Sequence, residues 1–447
     1  MDKGAHFHRC DFQVHSPRDL NWSGPRPVTN EERKVYAEDF VAKCREKQLN
    51  GVAITDHHDT AFFRYVKDAA LAETDEDGRP LLDEERLIVF PGMELTLAIP
   101  CQALILLDAD FPVGLLSSLN TILASPCNSP DDDRHAPTLR LEHMKTLKEL
   151  CECLDQHDHL RGRYIVLPNV SEGGGSSILR KGFASQYKEM PCVGGYVDGT
   201  IAKFGTGNDT IVNGKNNEYV NKPIGVFQTS DNRTSTFEHL GEHSTWVKWA
   251  TPTAEALRQA CLAKSTRISQ IIPEIPSLVV DYIEVSNSRF LGPFTIEFNP
   301  QYNCLIGGRG TGKSTILEYL RWALCDQPPA LTDSEDMSDF HSKRATLIDK
   351  TLVPFKSVVT VGFRVNNVPH AVRRNASTQE LSLKIGNAAF VKCREDDVRD
   401  LLPIRAYSQK QLRVCPISSI KPHRDSGIRG PRSRAGGGGA STGSWPA

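Results

Sequence analysis

Strand-like and helix-like spacings alternate over the first 265 or so residues. Arg9–His15 alternates apolar and polar positions and predicts a strand. Thr29 and Glu32 form a capping box, and Tyr36, Phe40 and Cys44 then recur at helical spacing. Asn50-Gly51 stops that helix, and Val52-Ala53-Ile54 predicts the next strand. Further strands are expected at Leu87–Phe90, Ala103–Leu107, Tyr164–Leu167 and Ile224–Phe227. Gly194–Asn217 is rich in glycine and asparagine and reads as a long loop. Thr251 and Pro252 open a helix through Ala256, Leu257 and Ala260.

A second unit starts near Asp281. YIEV, FTIEF and YNCLI read as short strands leading to a glycine-rich turn. A helix is expected from Lys313 to Leu324, with apolar residues at 316, 317, 320, 323 and 324. Residues 326–350 look polar and irregular. SVVTVGFRV and VPHAVRR, joined by Asn366-Asn367, predict a hairpin, and LSLKI adds a strand. The pattern fades from about Arg413, where Gly, Ser and Arg dominate and disorder is expected. The expected division is therefore 1–267, 278–412 and a tail at 413–447.

Composition changes this picture little. The chain has 447 residues, 39% hydrophobic and 24% charged, which is a globular balance with room for two or three domains. No apolar run has the length to cross a bilayer, and the N-terminus lacks the apolar core of a signal peptide. A soluble cytoplasmic protein is expected. The 12 cysteines have no framework spacing and read as free thiols. A net charge of −2 points to no partner, so any nucleic-acid contact has to use local basic patches.

The strand-like segments share one property: each ends in residues able to bind a metal or substrate. Asp11, Gln13 and His15 alternate on the first strand. Asp56 and His57 follow VAIT, Glu94 follows IVFPGM, Asn169 follows YIVLP and Asp231 follows IGVFQTS. Parallel β/α barrels place their sites at C-terminal strand ends. Taken singly, His57 or Asp231 reads as an ordinary loop or N-cap residue; the repetition over successive strands is the signal.

The segments DFQVHSPRD, AITDHHDT, FPGMELT and QTSDNR resemble the motifs of the polymerase-and-histidinol-phosphatase (PHP) family over most of residues 8–265. The resemblance implies an α/β fold, a distorted seven-stranded β/α barrel, and a metal-dependent phosphoesterase. It implies His15, Asp19, His57, Glu94 and Asp231 as metal ligands, with Asp56 beside His57. His15, Asp56, His57 and Arg233 are the catalytic candidates. Bound divalent ions would polarise a phosphoryl oxygen and activate water. Mixed imidazole and carboxylate ligands suit Zn²⁺, Mn²⁺ or iron.

The chain also departs from that pattern. The family's His-x-His is Gln13-Val14-His15 here, its Pro-His is Pro168-Asn169, and its Asp-x-His is Asp231-Asn232-Arg233. Glutamine and asparagine are weaker ligands, and an arginine beside a metal is unfavourable unless it replaces one. Arg233 is also suited to a phosphate. One or two ions are expected rather than three. Two readings stay open: an active enzyme, or a barrel that serves as a platform without catalysis. His6-Phe7-His8 has His-x-His spacing but lies before the expected strand, outside the motif context. Cys151 and Cys153, with His157 and His159, continue a helical pattern and read as ordinary helix residues rather than a zinc site.

Gly307-x-x-x-x-Gly312-Lys313-Ser314 completes a phosphate-loop pattern. Gly307, Gly308, Gly310, Thr311 and Gly312 let backbone N–H groups cradle phosphates, and Lys313 reaches the β- and γ-phosphates. Ser314, with Thr315 beside it, is placed to ligate Mg²⁺. The cofactors expected here are ATP and Mg²⁺. The stretch IEVSNSRFLGPFTIEFNPQYNCLIGGRGTGKSTILEYL resembles the start of DNA-associated ABC ATPases of the SMC and RecF type. AYSQKQL resembles their Q-loop, with Gln409 facing the metal. The whole arrangement resembles TrlF-type proteins and the PHP–ATPase proteins of antiphage defence. That resemblance implies DNA as partner, a homodimer through the ATPase heads, and a role in repair or phage defence. No Walker B or signature segment follows Ser314, so the sequence reads as an N-terminal fragment that binds nucleotide with little hydrolysis. The expected half-sheet would leave apolar surface exposed.

Overall fold

The computed structural model describes residues 4–19, 21–124, 140–325, 335–404 and 406. The chain divides into two compact units, one ending at Pro276 and the other beginning at Ser277.

The first unit is a curled sheet with helices outside. Its strands are β1 (His6–Val14), β2 (Gly51–Ile54), β3 (Ile88–Thr96), β4 (Gln102–Leu107), β5 (Tyr164–Pro168), β6 (Gly194–Asp198), β7 (Gly225–Thr229), β8 (Thr245–Trp249) and β9 (Ile268–Ser269). Seven of them run in the order β5-β4-β3-β2-β1-β8-β9, and β6 pairs with β7 in parallel. Two isolated parallel bridges close the ring. Asn169 meets Tyr196 beyond β5, and Val14 meets Asn232 beyond β7. The seven strands β1 to β7 thus form a distorted β/α barrel, with β4 antiparallel to both neighbours. β8 runs antiparallel along the first half of β1 and covers it there.

Local chemistry explains the elements. Thr29 caps helix Asn30–Glu46 through a capping box with Glu32, and Ala37, Phe40, Val41 and Cys44 bury its inner face. Strands β2, β4 and β5 are almost continuously apolar because helices cover one side and barrel packing the other. Phe12, Phe90, Phe227 and Trp249 fill the barrel interior as tilted and edge-on ring pairs.

Two expectations fail in this unit. Gly194–Asn217 is not one loop: it holds β6, a 3₁₀ turn at Ile201–Lys203 and helix Thr206–Val212. Gly194 and Gly195 are there for close packing. A Cβ on Gly194 would lie 2.5 Å from Cys261 Sγ, and one on Gly195 would lie 2.9 Å from the Pro168 carbonyl oxygen. His6-Phe7-His8 is part of β1 rather than a segment before it. His8 stacks flat on Trp249 at 4.5 Å across the β1–β8 pair.

That stack gives a testable pH dependence. Burial first, and His6 second, lower His8 to about 4. Between pH 6.5 and about 4 the unfolded chain therefore binds more protons at this site than the folded one. The stability present above the unfolded value is lost as pH falls through that window. His8→Phe keeps the stacked ring and removes the proton. In denaturant titrations at pH 7 and pH 4.5, the variant should lose less stability than the parent, by about 2 kcal/mol after discounting partial exposure. Equal losses would show that His8 does not take up the proton.

In the second unit β10 (Leu278–Val285), β11 (Phe294–Glu297), β12 (Val358–Val365), β13 (Val368–Asn375), β14 (Leu381–Ile385) and β15 (Val391–Lys392) form an antiparallel sheet. The order is β11-β10-β12-β13-β14-β15. Asn366 and Asn367, both with positive φ, make the expected hairpin turn. Helix Lys313–Ala323 packs Tyr319, Trp322 and Ala323 against Ile283, Val359, Val361 and Phe363. Residues 335–351 form a helix rather than an irregular stretch, and its buried Ile348 joins the same core. Tyr302–Ile306 is not a strand. No described strand pairs with it, and Tyr302 and Ile306 are 81% and 89% exposed. The expected tail at 413–447 lies outside the described residues.

Candidate metal and phosphate sites

The strand ends of the barrel bring the expected residues together. His15 follows β1, His57 follows β2, Glu94 lies within β3, and Asp231 follows β7. Asp19 comes from the loop after β1 and is fully buried, as are His15 and Glu94. Asp19 Oδ2 lies 2.9 Å from His15 Nδ1 and 2.7 Å from His57 Nδ1. The opposite ring edges face Glu94: its Oε2 is 3.3 Å from His15 Nε2 and 3.6 Å from His57 Nε2. Asp231 Oδ1 is 3.0 Å from His15 Nε2. The two imidazoles stack at 5.1 Å.

One carboxylate thus hydrogen-bonds His57 and stands behind His15, and the opposite edges of both rings converge with a second carboxylate. Such an outer partner is what fixes a ligating imidazole. Ligand atoms of His15, His57 and Glu94 lie within 4.8 Å of one another, as do those of His15, Asp19 and Asp56. Although carboxylates stand close, neither ring nitrogen of fully buried His15 makes a hydrogen bond of acceptable angle. A buried donor set left in this way fits a divalent cation. Asp231 and His58 hold positive φ just after β7 and β2, so strain gathers at this rim.

The charges are strongly coupled. Burial lowers His15, but Asp19, Asp231 and Glu94 outweigh it and raise it well above its ordinary value. Burial raises Glu94, yet His15, His57 and Arg233 hold it down at about 2. Asp19 is likewise held far below the carboxylate range by the two histidines, against burial. Asp56 moves the other way, raised by burial and by Asp19. It accepts from the Ser16 backbone N–H and hydroxyl, each at 2.6 Å.

Three departures from the family pattern take definite roles. Gln13 donates to Glu94 Oε2 at 3.2 Å and accepts from Thr229 at 2.6 Å, so its carboxamide braces the cluster. Asn169 donates to Asp198 at 3.0 Å and accepts from the Ser171 backbone N–H. Arg233 donates to Asp231 at 2.8 Å, with its guanidinium 3.8 Å from Glu94 and 3.9 Å from Asp19. It places a fixed positive charge among three carboxylates.

Sequence reasoning missed Tyr196 and Asp198. The Tyr196 hydroxyl donates to Glu94 Oε1 at 3.1 Å. Burial, Asp231 and Glu94 raise Asp198 to about 6. Both sit on β6, inside the segment read as a loop. The alternation of Tyr196 and Asp198 was the available signal. Among the described residues, no metal-type cluster includes Cys151, Cys153, His157 or His159.

The glycine loop of the second unit precedes helix Lys313–Ala323 directly. Gly310 and Gly312 hold φ of +83° and +87°, a conformation that costs a side chain strain. A Cβ on Gly312 would also meet Leu291 at 2.5 Å. Lys313 Nζ donates to the carbonyls of Gly307 and Gly308 at 2.7 and 2.6 Å and reaches Thr311 Oγ1 at 3.3 Å. Thr311 Oγ1 donates to the Gly308 carbonyl at 3.0 Å. Ser314 is exposed and Thr315 partly buried in the first helical turn. Gln409 lies outside the described residues.

Residues 282–413 match the family model described as an AAA domain. No curated protein matches the chain. Among solved structures, the chain is similar to the lesion-specific endonuclease PfuEndoQ from Pyrococcus furiosus. The two share 13% identity with a TM-score of 0.40, over 62% of each chain. It is also similar to Endonuclease Q in complex with a 27-mer duplex bearing an abasic lesion, with 12% identity and a TM-score of 0.39 over 62% of this chain and 63% of that one. A third likeness is to a Bifidobacterium adolescentis protein assigned as a metal-dependent phosphoesterase. It has 12% identity and a TM-score of 0.28, over 50% of this chain and 86% of that one. The chain thus spans less than two thirds of the length of either endonuclease. None of these scores reaches 0.5, so the functional reading rests on the strand-end cluster.

Proposed function

We propose that the first unit is a divalent-metal-dependent phosphoesterase acting on phosphodiesters of nucleic acid, most simply DNA. The second unit, in this reading, binds ATP with Mg²⁺ and couples it to that activity in repair or phage defence. The observation that carries the proposal is the convergence of His15, His57, Glu94 and Asp231 at neighbouring strand ends, with Asp19 behind both imidazoles. The functional boundaries proposed are 1–267 for the phosphoesterase and 278–412 for the nucleotide-binding part. Assembly as a homodimer through the second unit and a cytoplasmic location belong to the same proposal.

His15, His57 and Glu94 would hold the ion, with Asp231 beside them. When bound, it supplies Lewis-acid charge to a phosphoryl oxygen. Asp19 holds His57 by Nδ1 and stands 2.9 Å from His15 Nδ1, and each Nε2 is directed toward Glu94. Tyr196 and Gln13 fix the Glu94 carboxylate from either side. Arg233 is placed to bind a phosphoryl oxygen bidentately once it turns from Asp231. Asp56, raised by burial and by Asp19, is one group here able to hold a proton at its carboxyl.

A second reading, a barrel without catalysis, draws on the occupied amides of Gln13 and Asn169 and on Arg233. Metal removal separates the two. The full chain should contain about one divalent ion per molecule and hydrolyse bis(p-nitrophenyl) phosphate and an oligodeoxynucleotide. Chelation should abolish both activities, and Mn²⁺ should restore them. A folded, metal-loaded chain inert toward both substrates would favour the platform.

A further inference from the structure

Asp11 stands on β1 before His15, outside the ion cluster, and is fully buried. A buried carboxylate is costly unless it is well partnered. Its hydrogen bonds come from three backbone N–H groups. Oδ1 accepts from Ser230 at 3.1 Å and, more weakly, from Gln13 at 3.4 Å, and Oδ2 accepts from Gly241 at 3.1 Å. Among the described residues no cation pairs with it. Burial raises the carboxyl to about 6, and these donors, with the Ser230 hydroxyl, oppose that rise by favouring the ionised form.

The topology explains why an acceptor is needed at this point. β8 pairs with β1 from His6 to Cys10, and the strand end after β7 reaches β1 only at Val14, opposite Asn232. In between, β1 bulges. Asp11 pairs with Val52 and Val14 with Ile54, so Phe12 and Gln13 together face Ala53. The ladder is thus interrupted just before His15. The amides of Ser230 and Gly241, near the two ends of the β7–β8 connection, meet this gap and are taken by the Asp11 carboxylate. Arg9 grips only the far end, donating to the Gly241 carbonyl at 2.9 Å and the Ser244 hydroxyl at 2.8 Å.

We propose that Asp11 is a positioning residue: it clamps the β7–β8 connection to β1 and so sets where Asp231 and Arg233 stand relative to His15. The proposal rests on the metal-dependent phosphoesterase reading and adds a residue that acts on the ion through another. Ser230 directly precedes Asp231, whose Oδ1 is 3.0 Å from His15 Nε2. The next residue, Asn232, accepts from the His15 backbone N–H at 3.0 Å. Gln13, the third amide held, carries the carboxamide that braces Glu94. The chemistry calls for an acid. Ser230 and Gly241 approach different oxygens, so both oxygens must accept. An asparagine has one acceptor oxygen and would turn its NH₂ group against one of the two N–H donors.

The test uses the full chain stripped of metal, with Asp11→Asn, Asp231→Asn and the double variant, each checked for folding by circular dichroism. Mn²⁺ affinity is read by titration calorimetry. Partners outside the ligand set typically contribute about 10- to 100-fold, so Asp11→Asn should weaken Mn²⁺ binding about tenfold in the parent. In the Asp231→Asn background it should weaken binding less than about twofold, because the group it positions has already lost its charge. Equal losses in the two backgrounds, as general loosening of the fold would give, would overturn the proposal. Hydrogen exchange resolved to single amides is the second measurement. Ser230 and Gly241 should exchange several-fold faster in Asp11→Asn than in the parent. Should that variant not fold, the parent decides: free-peptide exchange rates at Ser230 and Gly241 would overturn the clamp. Parental protein that binds Mn²⁺ and hydrolyses neither substrate would overturn the phosphoesterase reading instead, and the affinity cycle would still decide the role of Asp11.

Discussion

Glu94→Gln should lower affinity for the divalent ion at least about 100-fold and remove phosphodiesterase activity in proportion. Changes to outer partners of metal ligands typically cost about 10- to 100-fold, so loss of a central carboxylate belongs at or beyond the upper end. The substitution keeps shape and removes charge where His15 Nε2 and His57 Nε2 both point. Tyr196→Phe is the graded companion. It deletes only the hydroxyl that donates to Glu94 Oε1 and should cost about tenfold. Metal content by plasma emission and rates on bis(p-nitrophenyl) phosphate would be measured together, with circular dichroism to confirm the fold. If Glu94→Gln kept its ion and its rate, the cluster would not be the site.

The second large effect is expected in the glycine loop. ATP with Mg²⁺ at about 100 times its dissociation constant should stabilise the parental protein by about 2.7 kcal/mol through mass action alone. This would show as a rise in the melting temperature of the second unit. Lys313→Ala removes a charge-assisted contact worth about 1.5–3 kcal/mol, so ATP should bind roughly 10- to 100-fold more weakly. At the same ATP concentration the stabilisation should fall to about 1.4 kcal/mol for tenfold and about 0.4 kcal/mol for 100-fold weaker binding. An equal rise in both proteins would mean that nucleotide binds elsewhere or without the lysine.

Much of the barrel was legible because its signals are local. The Thr29–Glu32 box, the apolar runs of β2 and β4, and the turn at Asn366-Asn367 each carry their conformation in a few adjacent residues. The strand-end residues were legible for the same reason, since each directly follows an apolar run. β6 was not. Gly194-Gly195 looks like a turn in sequence and is a strand only because Cys261, Leu167 and Pro168 press against it. With β6 hidden, Tyr196 and Asp198 were hidden too. Tyr302–Ile306 erred in the opposite direction. It has the composition of a strand, but a strand also needs a partner, and no described strand pairs with it. The separate tasks of Asp19 and Glu94, one behind the imidazoles and one before them, depend on ring orientation that spacing cannot give.

The position of Arg233 has a further consequence, in the electroneutrality of the site. Asp19, Glu94 and Asp231 supply the anionic charge that the guanidinium faces, while Asp56 is raised toward its neutral form. With the arginine counted, the first divalent ion brings this group close to balance. A second would leave it cationic, in a setting where several members are fully buried and uncompensated charge is costly. The arginine therefore acts as a built-in counter-ion. In the proposed metal-binding reading it would limit, through total charge, how many ions the pocket takes, whatever number of donor atoms the strand ends present.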